Sequence, residues 1–220
     1  MKNKEKLKHS RYGSFGESCE LRAIEPTEDT GYIVEGYAII YEEMTSIGGW
    51  FNEVIKRGAL DGADLKDVPM FIHHKGETIP LARSRKNNKN STLQLTPDKK
   101  GLYFRAELDV ENNVDAKALY SSIKRGDISG MSYSFRVKTE KWLNIDDPVP
   151  TREIYEFSKI GEISALWSPA YEATSIEARA KELESSDKVA LDNARATLDN
   201  EKSVLEVERL KLKIKFGGNK

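Results

Sequence analysis

Histidine occurs three times in the 220 residues, as His9, His73 and His74. His9 lies in a basic, polar N-terminal stretch, so imidazole chemistry in a folded core must use His73 or His74. A serine hydroxyl is a weak nucleophile at neutral pH and needs an adjacent base, normally a neutral imidazole. That base needs an acceptor to orient it, and the reaction needs N–H donors for an oxyanion. The chain holds such parts: Ser132 or Ser134, His74 or His73, and a carboxylate such as Glu162 or Glu156. The two serines belong to GDISGMSYSFR, residues 126–136. Gly126 and Gly130 suit a tight turn, and from Met131 to Val137 the pattern alternates as in a strand. Tyr133, Phe135 and Val137 share one face, and Ser132, Ser134 and Arg136 the other. The plainer reading of this stretch is a half-buried strand whose serines face water.

Other chemistries have less support. Two neighbouring histidines on a strand point to opposite faces, the one cysteine, Cys19, is distant, and no HExxH or CxxC spacing is present, so no metal site and no cofactor is expected. Neither a Walker loop nor a GxGxxG run occurs, which removes nucleotide chemistry. The net charge of −1 implies no preference for nucleic acid or a membrane surface. A single cysteine excludes an internal disulfide and fits a reducing compartment. No apolar run has the length of a membrane span, and the basic start MKNKEKLKHSR lacks the apolar region of a secretory signal.

The elements that must position these groups are mostly strands. Charged residues make up 32% and hydrophobic residues 38%, which is polar for one compact core and suggests an appendage. Residues 1–17 read as a mobile basic tail. Cys19 to Ala23 and GYIVEGYAIIYEE, 31–43, are strand-like, and PTEDTG between them predicts a hairpin turn. GGWFNEVIKRGAL, 48–60, predicts a short strand and a helical turn, and 68–86 two short strands around a Lys-Gly-Glu turn. STLQLTPDKKGLYFRAELD, 91–109, is a hairpin pattern. Val114, Ala118, Leu119 and Ile123 share a helical face, with Asn112 or Asn113 as cap and Gly126 as terminator. Residues 152–173 read as two further strands, which leads to a mostly antiparallel barrel or sandwich over 18–176. Residues 177–216 contain no glycine or proline and are rich in Ala, Glu, Lys, Leu and Arg, the composition of a long helix. Leu191, Leu198, Leu205 and Leu212 recur every seven residues, but Arg195, Lys202 and Arg209 would share the seam, which disfavours an autonomous coiled coil. The expected divisions are thus a tail at 1–17, a β domain at 18–176 and a charged helical tail at 177–220.

Five ordered segments resemble the prohead (capsid maturation) serine proteases of tailed phages with HK97-type capsids. FNEVIKRGAL resembles F-E-x-I-x-x-G-A-F; VPMFIHHKGETIPLAR resembles V-x-L-L-x-N-H-D…P-I-G-R; GLYFRAELD resembles G-L-x-F-x-A-x-L. IKRGDISGMSYSFRV resembles I-x-x-G-x-L-x-G-x-S-I-G-F, and IGEISALWSPAYEATSIEAR resembles L-x-E-V-S-L-V-x-x-P-A-x-x-x-A-x-V. The resemblance covers about residues 20–178. It implies His74 as catalytic base, with His73 where the family usually has Asn. It implies Ser132 as nucleophile with Ser134 as fallback, and Glu162 as third member with Glu156 second. Arg136 or Arg83 is a candidate aid to backbone N–H groups at the oxyanion. The chain departs from the pattern at Lys75, Ala82 and Trp167, and a cation at Lys75 would lower a neighbouring imidazole pKa. The implied fold is mostly β with accessory helices (α+β), an antiparallel β-barrel of the herpesvirus-assemblin type, followed by the helical tail. The implied activity is a serine endopeptidase that cuts scaffold and the major capsid protein precursor, and itself, inside the assembling procapsid in the bacterial cytoplasm. A homodimer is compatible with it. The alternative from another class is a non-catalytic scaffold or assembly protein that keeps the protease fold.

Overall fold

The computed structural model describes residues 11–15, 19–47, 49–167 and 177–217. In chain order, the first strands are β1 (Arg11–Phe15), β2 (Arg22–Ile24), β3 (Tyr32–Ile40), β4 (Met44–Ile47), β5 (Phe51–Ile55) and β6 (Pro69–Ile72). They are followed by β7 (Ala82–Arg83), β8 (Leu93–Pro97), β9 (Gly101–Leu108), helix α1 (Val114–Arg125), β10 (Gly130–Leu143), β11 (Thr151–Leu166) and helix α2 (Glu177–Gly217).

Local chemistry accounts for the smaller sheet, ordered β2-β3-β9-β8. The β-branched run of β3 is almost wholly buried and pairs antiparallel with β2 and β9. The β8–β9 hairpin is tied by Asp98, whose carboxylate accepts the N–H groups of Lys100 at 2.7 Å and Gly101 at 3.0 Å. A Cβ at Gly101 would lie 1.9 Å from the Ile39 carbonyl oxygen, a backbone atom that cannot swing aside. Gly101→Ala is therefore expected to destabilise the chain by about 3 kcal/mol, read in thermal unfolding as a midpoint lower by roughly 10 °C.

The larger sheet is built around a long hairpin. β10 pairs antiparallel with β11, β1 lies on the other edge of β10, and β5 and β6 both pair with β11 in parallel. β4 and β7 extend it through β5 and β6. At the far end of the hairpin the buried Arg152 guanidinium meets Glu53 of β5 at 2.9 Å and also pairs with Glu140 of β10. This ties three strands where the turn would otherwise splay them.

One core joins the sheets. Val34, Ile39, Leu93 and Phe104 from the smaller sheet lie with Met131, Tyr133, Phe135, Ile160 and Ile163 from the larger, and α1 adds Ala116, Leu119 and Ile123. The Phe135 and Phe157 rings meet edge-to-face with centroids 5.2 Å apart. Helix α1 starts at Asn113, whose side chain accepts the N–H groups of Asp115 and Ala116, and ends at Gly126 with φ of 82°, as the capping pattern predicts.

Several expectations need correction. The fold is mostly β with two helices, but its strands form two open sheets, and no closed barrel is found among the described residues. The junctions of β11 with β5 and β6 are parallel, a non-local pairing that no hairpin pattern announces. Residues 152–166 do not make two strands: β11 runs unbroken from Thr151 to Leu166, and residues 168–173 of that expectation lie outside the described residues. Gly161 lies inside it because a Cβ there would stand 2.5 Å from the Ser134 hydroxyl oxygen. Residues 11–15, expected within a mobile tail, form β1 along β10; residues 1–10 and 16–18 lie outside the described residues. β4 was not anticipated. Helix α2 occurs where composition predicts it. Leu191 is buried, and Arg195 Nε donates to the Ile145 carbonyl at 3.4 Å. Lys202 pairs with Asp146 at 3.0 Å. Among the described residues, no helix is long and apolar enough to cross a membrane.

Candidate active site

Strand alternation puts Ser132 and Ser134 on the face of β10 opposite the buried Met131, Tyr133 and Phe135. The register then sets Ser132 beside Ser164 and Ser134 beside Glu162. A four-residue polar patch, two groups from each strand, thus forms on the side of the sheet away from the core. It does not face open water: Ser132 is 2% exposed, Ser134 5% and Ser164 0%.

β6 delivers the histidine from the other side of β11. Its parallel pairing sets Ser164 beside Phe71 and Ala165 beside Ile72, and the His73 N–H continues the ladder to the Ala165 carbonyl at 3.1 Å. The chain then turns at once. His73 and His74 have φ of 51° and 56°, and the Lys75 N–H bonds to the Ile72 carbonyl at 3.2 Å. Two central residues at positive φ closed in this way make a type I′ turn, a conformation that histidine adopts more readily than most side chains. The expectation of a strand at 73–74, with one ring on each face, is replaced by this turn.

From the turn, the His74 ring reaches across β11. Its Nδ1 is hydrogen-bonded to Glu162 Oε1, and its Nε2 lies 2.7 Å from Ser132 Oγ. The intervening strand supplies the carboxylate, and the imidazole lies between it and the hydroxyl. The side chains of His74 and Glu162 are 17% and 12% exposed. With the Nδ1 proton donated to the carboxylate, Nε2 is left as the acceptor for the serine O–H. Such an arrangement can activate a hydroxyl and stabilise an imidazolium once the proton has moved.

The other expected residues fall elsewhere. Glu156 is on the surface, and the Lys138 ammonium beside it holds its carboxyl below the usual range. Arg83 donates to Asp67 at 2.7 Å on the surface, and Arg136 is exposed. Ser164 was not singled out; its hydroxyl donates to Glu162 Oε1 at 3.4 Å. The signal available for it is that Glu162 and Ser164, two apart on a strand, share a face. No cluster of His, Cys, Asp and Glu that could hold a metal ion occurs among the described residues.

The cation at Lys75 acts on His73. Partial burial, then the Lys75 charge, then His74 push the His73 imidazole below its ordinary value of 6.5. Its ring lies edge-on to the exposed Trp167, with centroids 5.7 Å apart. Because the folded pKa is the lower one, the unfolded chain binds more protons below about pH 6.5, and stability falls as pH drops through that range. It levels off once pH is below the folded pKa. His73→Gln is expected to remove this part of the decline, seen as a smaller difference in unfolding midpoint between pH 7.5 and pH 5.5.

No match is found among curated proteins. Among solved structures, the capsid assembly protease gp21 of bacteriophage T4 is similar at 15% identity over 73% of this chain and 98% of that one, with a TM-score of 0.42. The five ordered motifs are matched by a broader likeness: the family model of the caudovirus prohead serine proteases covers residues 17–189, and the chain belongs to that family.

Proposed function

We propose that the chain is a serine endopeptidase of capsid maturation in which Ser132 is the nucleophile, His74 the general base and acid, and Glu162 the group that orients the imidazole. The observation that carries this reading is the single imidazole bonded to the Ser132 hydroxyl through one nitrogen and to the Glu162 carboxylate through the other. Membership of a prohead serine protease family supports it independently.

In the proposed reaction, Ser132 Oγ attacks the scissile carbonyl carbon as its proton passes to His74 Nε2. Glu162 stays ionised and holds the imidazolium through Nδ1. Backbone N–H groups bind the oxyanion. The C–N bond breaks as His74 returns the proton to the leaving amine. Water then adds to the acyl-enzyme by the same base and releases the serine. The substrates in this reading are scaffold and capsid protein precursors, with the chain itself as a further one, inside the assembling procapsid.

A serine-directed phosphonate tests the assignment. Stoichiometric labelling at Ser132, mapped by peptide mass spectrometry and lost on prior unfolding, is the expected result. A folded chain that stays unlabelled would leave the scaffold role as the function.

A further inference from the structure

β10 has two edges. β11 takes one of them along the whole strand, from Gly130 beside Leu166 to Leu143 beside Thr151. The other carries β1 alone among the described strands. It runs antiparallel, from Arg11 beside Phe135 to Phe15 beside Met131, with Ser14 the partner of Ser132. The chain's own N-terminal segment therefore lies along the strand that holds the hydroxyl, at the register of the hydroxyl itself.

A peptide is cut only if its carbonyl carbon comes within about 3 Å of the attacking oxygen. Proteins commonly hold extended peptides by adding them as a strand to a sheet edge, where main-chain hydrogen bonds supply the affinity. The β11 edge of β10 cannot serve, because β11 carries Glu162 and Ser164 and breaking that pairing would take the site apart. The β1 edge can serve once β1 has left, since β10 stays paired along its length to β11.

We propose that this edge is the binding site for an extended peptide and that residues 11–15 are its built-in occupant, so that the chain competes with its own substrate. The inference rests on the assignment of Ser132 as nucleophile. Three features make the occupant exchangeable. β1 has 5 residues against the 16 of β11. It contains Gly13, and glycine weakens a strand interior. The flanking sequence MKNKEKLKHS carries no alternating apolar pattern that would fix a register. β3 and α2 both lie beside β1.

The test measures binding separately from cleavage. Three chains carrying Ser132→Ala are compared: the full chain, the chain without residues 1–17, and the full chain with Gly13→Pro and Ser14→Pro. Backbone N–H groups alternate in direction along a strand, so one of the two prolines removes a ladder donor whichever phase the pairing has. The probe is a fluorescent synthetic peptide of residues 9–17, read by polarisation. A tethered segment acts as a competitor at an effective concentration of about 1 mM, so a peptide with Kd of about 100 µM should bind the full chain roughly tenfold more weakly than either altered chain. Equal affinity for all three, or no binding to any, overturns the inference. The proline chain guards against a truncated chain that misfolds. Phosphonate labelling of the matching chains with Ser132 intact separates the two levels. Labelling of folded chains with no difference in peptide affinity removes only the edge site. Folded chains that never label remove the catalytic assignment, and the substrate role of the edge with it.

Discussion

Ser132→Ala is expected to lower cleavage of a capsid precursor by about 10⁴-fold or more while the fold survives. In the proposed reaction the hydroxyl supplies the atom that forms the acyl-enzyme, and Ser134 is not placed to substitute for it, since it lies one pleat further along, beside Glu162 and not beside Ser164. Alanine removes one hydrogen bond to an imidazole that is partly open to water, so the loss in stability is about 1 kcal/mol or less. His74→Ala is expected to cost a comparable factor. Residues that act as one unit are strongly non-additive, so the double variant should be no slower than the worse single one. Gel analysis of precursor processing gives the rate, and thermal unfolding followed by circular dichroism gives the fold. Normal processing by Ser132→Ala, or a multiplicative loss in the double variant, would count against a shared unit.

Glu162→Gln is the second large effect, a fall in turnover of about 10³- to 10⁴-fold with little change in substrate affinity. Glutamine is nearly isosteric but neutral, and its amide can present a donor to Nδ1. The imidazole then favours the tautomer with a proton on Nε2, which turns the acceptor facing Ser132 into a donor. An imidazolium formed during attack also loses its counter-charge. Glu156→Gln is the paired control. That carboxylate is on the surface, paired with Lys138, and its loss should leave turnover within about twofold, the range of an exposed ion pair. Steady-state kinetics on a synthetic cleavage peptide separates the two. An inactive Glu156→Gln beside an active Glu162→Gln would move the third role to the other strand position.

The parts of the structure legible in the sequence are those made by local rules. The β8–β9 hairpin is announced by PDKKG, and α1 by Asn113 and Gly126, because turns and caps are satisfied within a few residues. The face of β10 that carries both serines follows from alternation alone. Proximity was not legible in this way. His74 and Ser132 are 58 residues apart, and His74 and Glu162 88 apart. The parallel junction that brings them together, β6 on β11, has no turn and no capping residue to mark it. The family motifs point to His74, Ser132 and Glu162, the three side chains that the sheet brings into contact. Periodicity also failed at His73 and His74, where two non-glycine residues take positive φ, and at β11, whose length exceeds any window over which a strand pattern is usually read. Ser164 carries no signal of its own, because a serine after a strand glutamate looks like solvent-facing polarity until the register places it beside Ser132.

The position of β11 bears on when the site can exist. Among the described strands it is the last to be synthesised, yet it is the hub of the larger sheet, pairing with β10, β5 and β6 at once. A nascent chain that has emerged as far as β10 already contains Ser132 and His74, but it has neither Glu162 nor the strand on which the turn at residues 73–74 is mounted. Until Leu166 has cleared the ribosome, β5 and β6 have no common neighbour and the hydroxyl has no organised base. In the proposed mechanism the order of translation therefore works as a delay: hydrolytic competence would come with completion of the sheet, and a chain cut short before residue 162 would hold the proposed nucleophile in an inert form.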